Sequence, residues 1–287
     1  SDIDCLTGTI LTNPELIDAT KAFPKRMLQK LEFFEYCQAF LAGRNFQSEF
    51  NSIFTVSGAF SAFRKSAIMK TQLYNTDTIC EDTHVTFQIR DMLKERIALC
   101  EGAFFFADPI EDLNHLYIQR QRWQRGELEV LHMFRRQKLA FGRGVFSDFV
   151  IRLLMYDHTF AFPRMIWYFA LIYLAFINYS GKLIAESVFI LYLLYVIAAF
   201  LLYCCIILFL SEDTSLRRYY ARKWYLVFLL PLFNFMIFWF RFAGIINAIK
   251  GTQSWNTRNL QDERHAFLSV VKQDFKRLQN LIRHHTQ

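Results

Sequence analysis

A mixed α/β domain followed by interfacial and transmembrane α-helices is the fold class this 287-residue sequence predicts. Three observations carry it. The chain is 53% hydrophobic and 17% aromatic, with 32 Phe, more than one soluble core needs, and this excludes disorder or a disulfide scaffold. Its charge is divided: residues 1–118 net −5, 119–143 net +5, 144–210 are neutral and 211–258 net +5. The basic blocks flank long apolar runs, a pattern of membrane proteins and not of nucleic-acid binders.

The front part alternates short apolar strands with helices. CLTGTIL (5–11) reads as a strand, and residues 25–42 read as a helix from the spacing of Leu28, Leu31, Phe34 and Leu41 after Pro24. IFTVS (53–57) reads as a strand entering a turn at Gly58. Residues 82–94 read as a helix capped by Asp82 or Thr83. IALC (97–100) and FFFA (104–107) read as buried strands, and Asp112 can cap an amphipathic helix from about 112 to 137. The six Cys are scattered without a CxxC, which predicts free thiols.

The second part is membrane-like. Phe146–Phe162 mixes apolar residues with Asp148, Arg152, Asp157 and His158, as an interfacial helix does. Met165–Tyr179 and Ser187–Leu210 suit a bilayer core that takes about 20 helical residues. Trp224–Ile249 contains Pro231, Asn234, Arg241 and Asn247, and the prediction is a segment kinked at Pro231 that returns to its own side, with Arg241 facing protein or water. Arg217, Arg218, Arg222 and Lys223 place the 211–223 loop, and with it the front half, in the cytosol. The resulting division is a front domain over 1–143, an interfacial helix over 144–162, a transmembrane region over 163–250 and a cytosolic tail over 251–287.

Four constellations could carry chemistry. In Gln119-Arg120-Gln121-Arg122-Trp123, helical spacing puts Gln119, Arg122 and Trp123 on one face. Arg forks onto phosphate oxygens and Trp offers a plate for a sugar ring. A basic helix lying on anionic lipid is the competing reading. Glu81-Asp82 stands at a helix start, where the dipole favours a carboxylate that could serve as general base, or simply as a cap. Ser57-Gly58-Ala59 followed by Arg64 is a strand-to-turn element. Ser254-Trp255-Asn256-Thr257-Arg258 repeats the aromatic-plus-guanidinium theme, as membrane-flanking anchors also do. Asp2 and Asp4 read as solvated, and the seven His show no zinc spacing. Ten scattered Gly make no phosphate loop.

Taken together these motifs resemble those of the processive family 2 glycosyltransferases, the cellulose, chitin, hyaluronan and poly-N-acetylglucosamine synthases. TGTI (7–10) resembles that family's TG strand, Ser57 to Arg64 its SG…R turn, Glu81-Asp82 the ED of TED, residues 119–123 its Q(Q/R)xRW motif and 254–258 its SWGT(R/K) segment. Cys80 stands where the family has Thr, and Asn256 where it has Gly.

The resemblance implies an α/β GT-A-type domain, truncated at its N-terminus, ahead of the interfacial and transmembrane helices. It implies inverting transfer of sugar from a UDP-sugar donor to a growing polysaccharide acceptor at the cytosolic face of the lipid bilayer of the plasma membrane, coupled to export. Asp82 would be the base and Glu81 its neighbour. Ser57, Gly58, Gln119, Arg122, Trp123, Trp255, Thr257 and Arg258 would bind substrate. Mg2+ or Mn2+ would hold the diphosphate mostly through ligands upstream of this chain, so little or no UDP-sugar binding, and no activity, is expected of these 287 residues alone. No nucleic-acid partner is expected, and accessory subunits stay open. The alternatives are transfer of a single sugar to a lipid phosphate, or a non-enzymatic membrane subunit.

Overall fold

The computed structural model describes residues 3–134, 161–249 and 262. The front domain is built on a small mixed sheet of order β2-β1-β3. Strand β1 (Cys5–Thr12) is its centre. Strand β2 (Ser61–Phe63) pairs with it antiparallel and β3 (Ile97–Ala107) parallel. The β1/β3 register slips between Thr7 and Thr9, so the two predicted strands 97–100 and 104–107 are one irregular strand. Ile97 to Leu99 are buried, whereas Phe105 and Phe106 are exposed.

Helices α1 (Pro14–Ala19) and α2 (Phe23–Tyr36) follow β1, each with Pro in its first turn, where the missing N–H costs nothing. Helix α2 runs into a wide π-helical turn, Cys37–Gly43, and then into α3 (Arg44–Glu49). The predicted strand 53–57 is not one. It is an extended segment whose Val56 N–H donates to Thr86 Oγ1 and whose Ser57 N–H donates to Thr7 Oγ1. Side-chain hydroxyls replace the ladder here, which the apolar pattern of IFTVS could not reveal. After a short α4 (Lys65–Ile68), α5 (Glu81–Phe87) passes into a second π turn, Gln88–Met92.

Helix α6 (Leu113–Met133) starts as predicted at Asp112, whose Oδ1 accepts the His115 N–H at 2.8 Å. It lies against α5 by virtue of Gly126, where a methyl group would overlap the Cys80 side chain. The thiol of Cys80 in turn contacts the Trp123 carbonyl at 3.9 Å. Cys80 therefore works as a small buried spacer between the two helices that carry the recognised motifs, and the described cysteines are free thiols.

Three apolar helices follow: α7 (Ala161–Phe176), α8 (Gly181–Phe209) and, after the short α9 (Thr214–Ala221), α10 (Leu226–Ile249). Two of these, α8 and α10, are long and apolar enough to cross a bilayer; α7, at 16 described residues, falls short of the roughly 20 that a bilayer core takes. Outward-facing Phe189, Ile190, Leu194, Phe200 and Leu201 of α8 are exposed, a surface that lipid covers better than water does. The predicted hairpin at Pro231 does not form. Helix α10 is continuous through Pro231, and Tyr192 of α8 donates to the nearby Phe228 carbonyl at 3.1 Å. Neighbouring helices can thus satisfy backbone groups around a proline.

The 211–223 loop is docked, not dangling. Tyr220 of α9 stacks on Phe34 of α2 with ring centroids 4.3 Å apart, and on Tyr203 of α8 at 5.3 Å. One core cluster joins Leu11 of β1, Phe33 and Phe34 of α2, Ile206 of α8 and Leu230 of α10. The front domain and this basic loop therefore lie at the same end of α8, consistent with the side assignment from charge. The predicted interfacial helix over 144–162 lies outside the described residues up to residue 160, and the tail 251–287 lies outside them except for Asp262.

A Gly126→Ala change forces α6 off Cys80 and is expected to cost about 1–3 kcal/mol, the usual range for overpacking. Thermal unfolding in detergent should show the lower midpoint, and adding Cys80→Ala should recover part of the loss.

Candidate functional site

The site is assembled from four segments far apart in sequence. Helix α2 and the π turn after it supply Tyr36, Ala39 and Phe40, and α3 supplies Arg44 and Gln47. The 54–59 segment supplies Ser57 and Gly58. The start of α5 supplies Glu81 and Asp82, and α6 supplies Gln119, Arg122, Trp123 and Glu127. All of these line one cavity of about 360 Å³. Seven of the ten residues singled out from sequence meet there. The other three, Trp255, Thr257 and Arg258, lie outside the described residues.

Asp82 is not the cap of its helix. Helix α5 begins at Glu81 with Cys80 in the cap position, and no side chain caps it. Asp82 sits in the first turn instead. Its Oδ1 accepts the Thr83 N–H at 2.7 Å and faces the Thr83 hydroxyl at 3.4 Å. Its Oδ2 points towards Gly58, where a methyl group would come within 3.3 Å of it. Glycine at 58 thus leaves room beside this oxygen. Burial pushes the Asp82 carboxyl above its ordinary range and Glu81 adds to this, while the Thr83 N–H and the Arg44 guanidinium pull it back. The result is a carboxylate more basic than a solvated one.

Ser57 faces inward to the sheet: its hydroxyl donates to the Gly8 carbonyl at 3.3 Å, and its carbonyl accepts the Ser61 hydroxyl at 2.7 Å. It braces the cavity wall. Arg64, expected near the same turn, points away and pairs with Asp4 at 2.7 Å.

On α6 the sequence reading was right about one face and wrong about the basic surface. Arg122 is exposed at the cavity edge and forms no ion pair among the described residues. Arg120 and Arg125 are buried: Arg120 pairs with Glu35 of α2 and Arg125 with Glu129. The helix is therefore not a cationic strip laid on lipid. Arg120, which pattern reading passed over, is fully buried, donates to Gln119 Oε1 at 2.6 Å and lies 4.3 Å from the Trp123 ring centroid. Trp123 also packs on Tyr36 at 6.3 Å and edge-on against Phe40 at 6.1 Å. The Gln119 amide donates to the Tyr36 hydroxyl at 3.3 Å. The indole and the amide are thus held in fixed orientation by a buried cation. The signal that could have revealed it is Glu32 and Glu35, two acids on the apolar face of α2 that need a buried partner.

A second buried charge pair joins the cavity to the membrane helices. Arg241 of α10 is fully buried and bonds Glu127 at 2.9 Å and Gln124 Oε1 at 2.7 Å. The expectation that Arg241 faces protein holds. Among the described residues no three His, Cys, Asp or Glu side chains converge on a cation position. The residues present do not by themselves fit the Mg2+ or Mn2+ that the motifs imply, and no step below runs through a metal.

A mixed α/β domain whose motifs resemble those of the polysaccharide synthases thus brings a carboxylate, an exposed guanidinium and an immobilised indole into one cavity, tied to membrane-length helices. Comparison with known proteins bears out that resemblance. The chain is 29% identical over 128 residues to the poly-beta-1,6-N-acetyl-D-glucosamine synthase of Staphylococcus aureus strain COL, and 30% identical over the same length to that of Staphylococcus epidermidis strain ATCC 35984. Each match covers 43% of this chain and 29% of the relative. No family model matches the chain. It is related to the family 2 glycosyltransferases of the polysaccharide-synthase kind.

Replacing Glu35 by Leu strands the Arg120 charge and is expected to cost about 3–5 kcal/mol, with Trp123 emission shifting to the red. The double variant Glu35→Leu/Arg120→Met should lose less stability than Glu35→Leu alone, measured by thermal unfolding with tryptophan fluorescence.

Proposed function

We propose that this chain carries the acceptor side of a GT-A-type sugar transferase, an inverting enzyme that lengthens a polysaccharide from a UDP-sugar. The observation that carries the reading is the convergence of Ser57, Gly58, Glu81, Asp82, Gln119, Arg122 and Trp123 on one cavity, from three segments spread over more than sixty residues. The Asp82 Oδ2, beside Gly58, takes the proton of an acceptor hydroxyl. The freed oxygen forms the new bond at the anomeric carbon as the bond to the diphosphate breaks, and UDP leaves with that electron pair. Arg122 neutralises the charge developing on the diphosphate, with Gln119 beside it. Trp123 supports the terminal sugar of the acceptor on its immobilised face.

Glu81 borders the same entrance and keeps it acidic. Trp255, Thr257 and Arg258 complete the donor side in this reading. Export of the product through the membrane helices belongs to the same proposal. The relatives' product makes UDP-N-acetylglucosamine the first donor to test. The burial of Arg120 and Arg125 speaks against a non-enzymatic subunit that adheres to lipid through a basic helix. Transfer of one sugar to a lipid phosphate is separated by product size.

The protein expressed in full, in membranes, should release UDP and make polymer. Asp82→Asn should lower UDP release by about 10²–10⁴-fold, the usual range for a lost general base. Trp123→Ala should shorten or abolish polymer. An Asp82→Asn variant with full activity would exclude Asp82 as the base, and a product of one added sugar would favour the lipid-phosphate reading.

A further inference from the structure

Arg44 is the cavity residue that the motifs do not account for. It opens α3 directly after the π turn, is 4% exposed and lines the same cavity as Asp82. Its guanidinium carbon stands 5.8 Å from the ring centroid of Phe40 and 5.8 Å from that of Phe54. Two aromatic rings therefore hold it in place. It makes no ion pair with a carboxylate among the described residues, and its Nη1 has no hydrogen-bond acceptor. Burying a guanidinium in this way is unfavourable unless its charge acts on something across the cavity or on a ligand within it.

We propose that Arg44 is a positioning residue that keeps Asp82 in its charged form by acting across the open cavity, so that the Asp82 oxygen stays free for the acceptor hydroxyl. The inference rests on the reading of Asp82 as the base. A direct ion pair would occupy the oxygen that must take the proton and would make it a poor base. A cation held off by aromatic rings supplies the field without occupying that oxygen.

The charges around Asp82 agree with this division. Glu81, on the same helix, opposes ionisation of Asp82, and Tyr74 and Cys80 are neutral neighbours whose own ionisation Asp82 discourages. From α6, Glu127 is bound to Arg241, and Arg122 lies at the exposed edge. From α3, Arg44 is the cation that draws Asp82 down. Asp82 and Glu127 in return support its charge, although burial lowers Arg44 to about 10.

The test is the pH profile of UDP release by the protein expressed in full, for the parent, Arg44→Gln, Arg44→Lys and Asp82→Asn. Loss of Arg44 raises the Asp82 pKa, so the acid limb of the Arg44→Gln profile should move up by about one pH unit. Activity well below the limb then falls about tenfold while the alkaline plateau changes little. Arg44→Lys should return most of the shift. A uniform loss across pH, or a Lys variant as impaired as the Gln variant, would overturn the inference. If Asp82→Asn is inactive while the Arg44→Gln limb stays in place, only the inference about Arg44 fails. If Asp82→Asn is fully active, the base assignment itself fails. Should Arg44→Gln not fold, Arg44→Met takes its place, with the same upward shift of the limb expected and an unmoved limb refuting the inference.

Discussion

The structure depends on a buried cation. Arg120 fills the space between α2 and α6, neutralised by Glu35 and covered by the faces of Trp123 and Tyr36. Because the pair is inaccessible to water, it is stable only when both helices are in register. That register sets the rest of the cavity. Gln119 precedes Arg120, Trp123 follows it by nearly one helical turn, and both take their orientation from it. Nearby, Glu32 Oε2 accepts the Ile110 N–H at 2.9 Å and the Gln29 amide donates to the Ile110 carbonyl at 2.9 Å, fixing where α6 starts. Burial pushes the Glu32 carboxyl up to about 7, against the pull of Arg120. The polar residues of α2 thus work as a socket for the helix that carries the motif.

What the sequence disclosed divides along physical lines. Helical spacing placed Gln119, Arg122 and Trp123 on one face, and Asp112 announced the start of their helix, because both are local properties of the backbone. The apolar runs of α8 and α10 were legible for the same reason. The strand predicted at 53–57 failed because its backbone partners are side-chain hydroxyls, Thr7 and Thr86, contributed from elsewhere in the chain. The cap role offered to Asp82 failed by two residues, and that offset separates a carboxylate occupied in capping from one that faces a cavity. Arg44 and Arg120 escaped because burial of an arginine is decided by what other segments bring to it.

Two π turns interrupt the helices of the front domain. One leads into Arg44 and the other follows the helix that begins at Glu81 and Asp82. Such turns insert an extra residue into a helix and re-aim the side chains around it. Here the first brings Ala39 and Phe40 onto the cavity wall and delivers Arg44 across from Asp82. Together with the room left at Gly58, it opens space around a single carboxylate.

The contact of Arg241 with Glu127 has a practical consequence. A catalytic domain that merely sits beside its membrane anchor can be excised and studied in water. This domain is not of that kind, since removing α10 would leave Glu127 of the cavity wall and its neighbour Gln124 facing an emptied groove, with nothing to replace the guanidinium. Helix α10 and the cavity wall are packed through one buried pair, so a displacement of that helix is felt at Glu127.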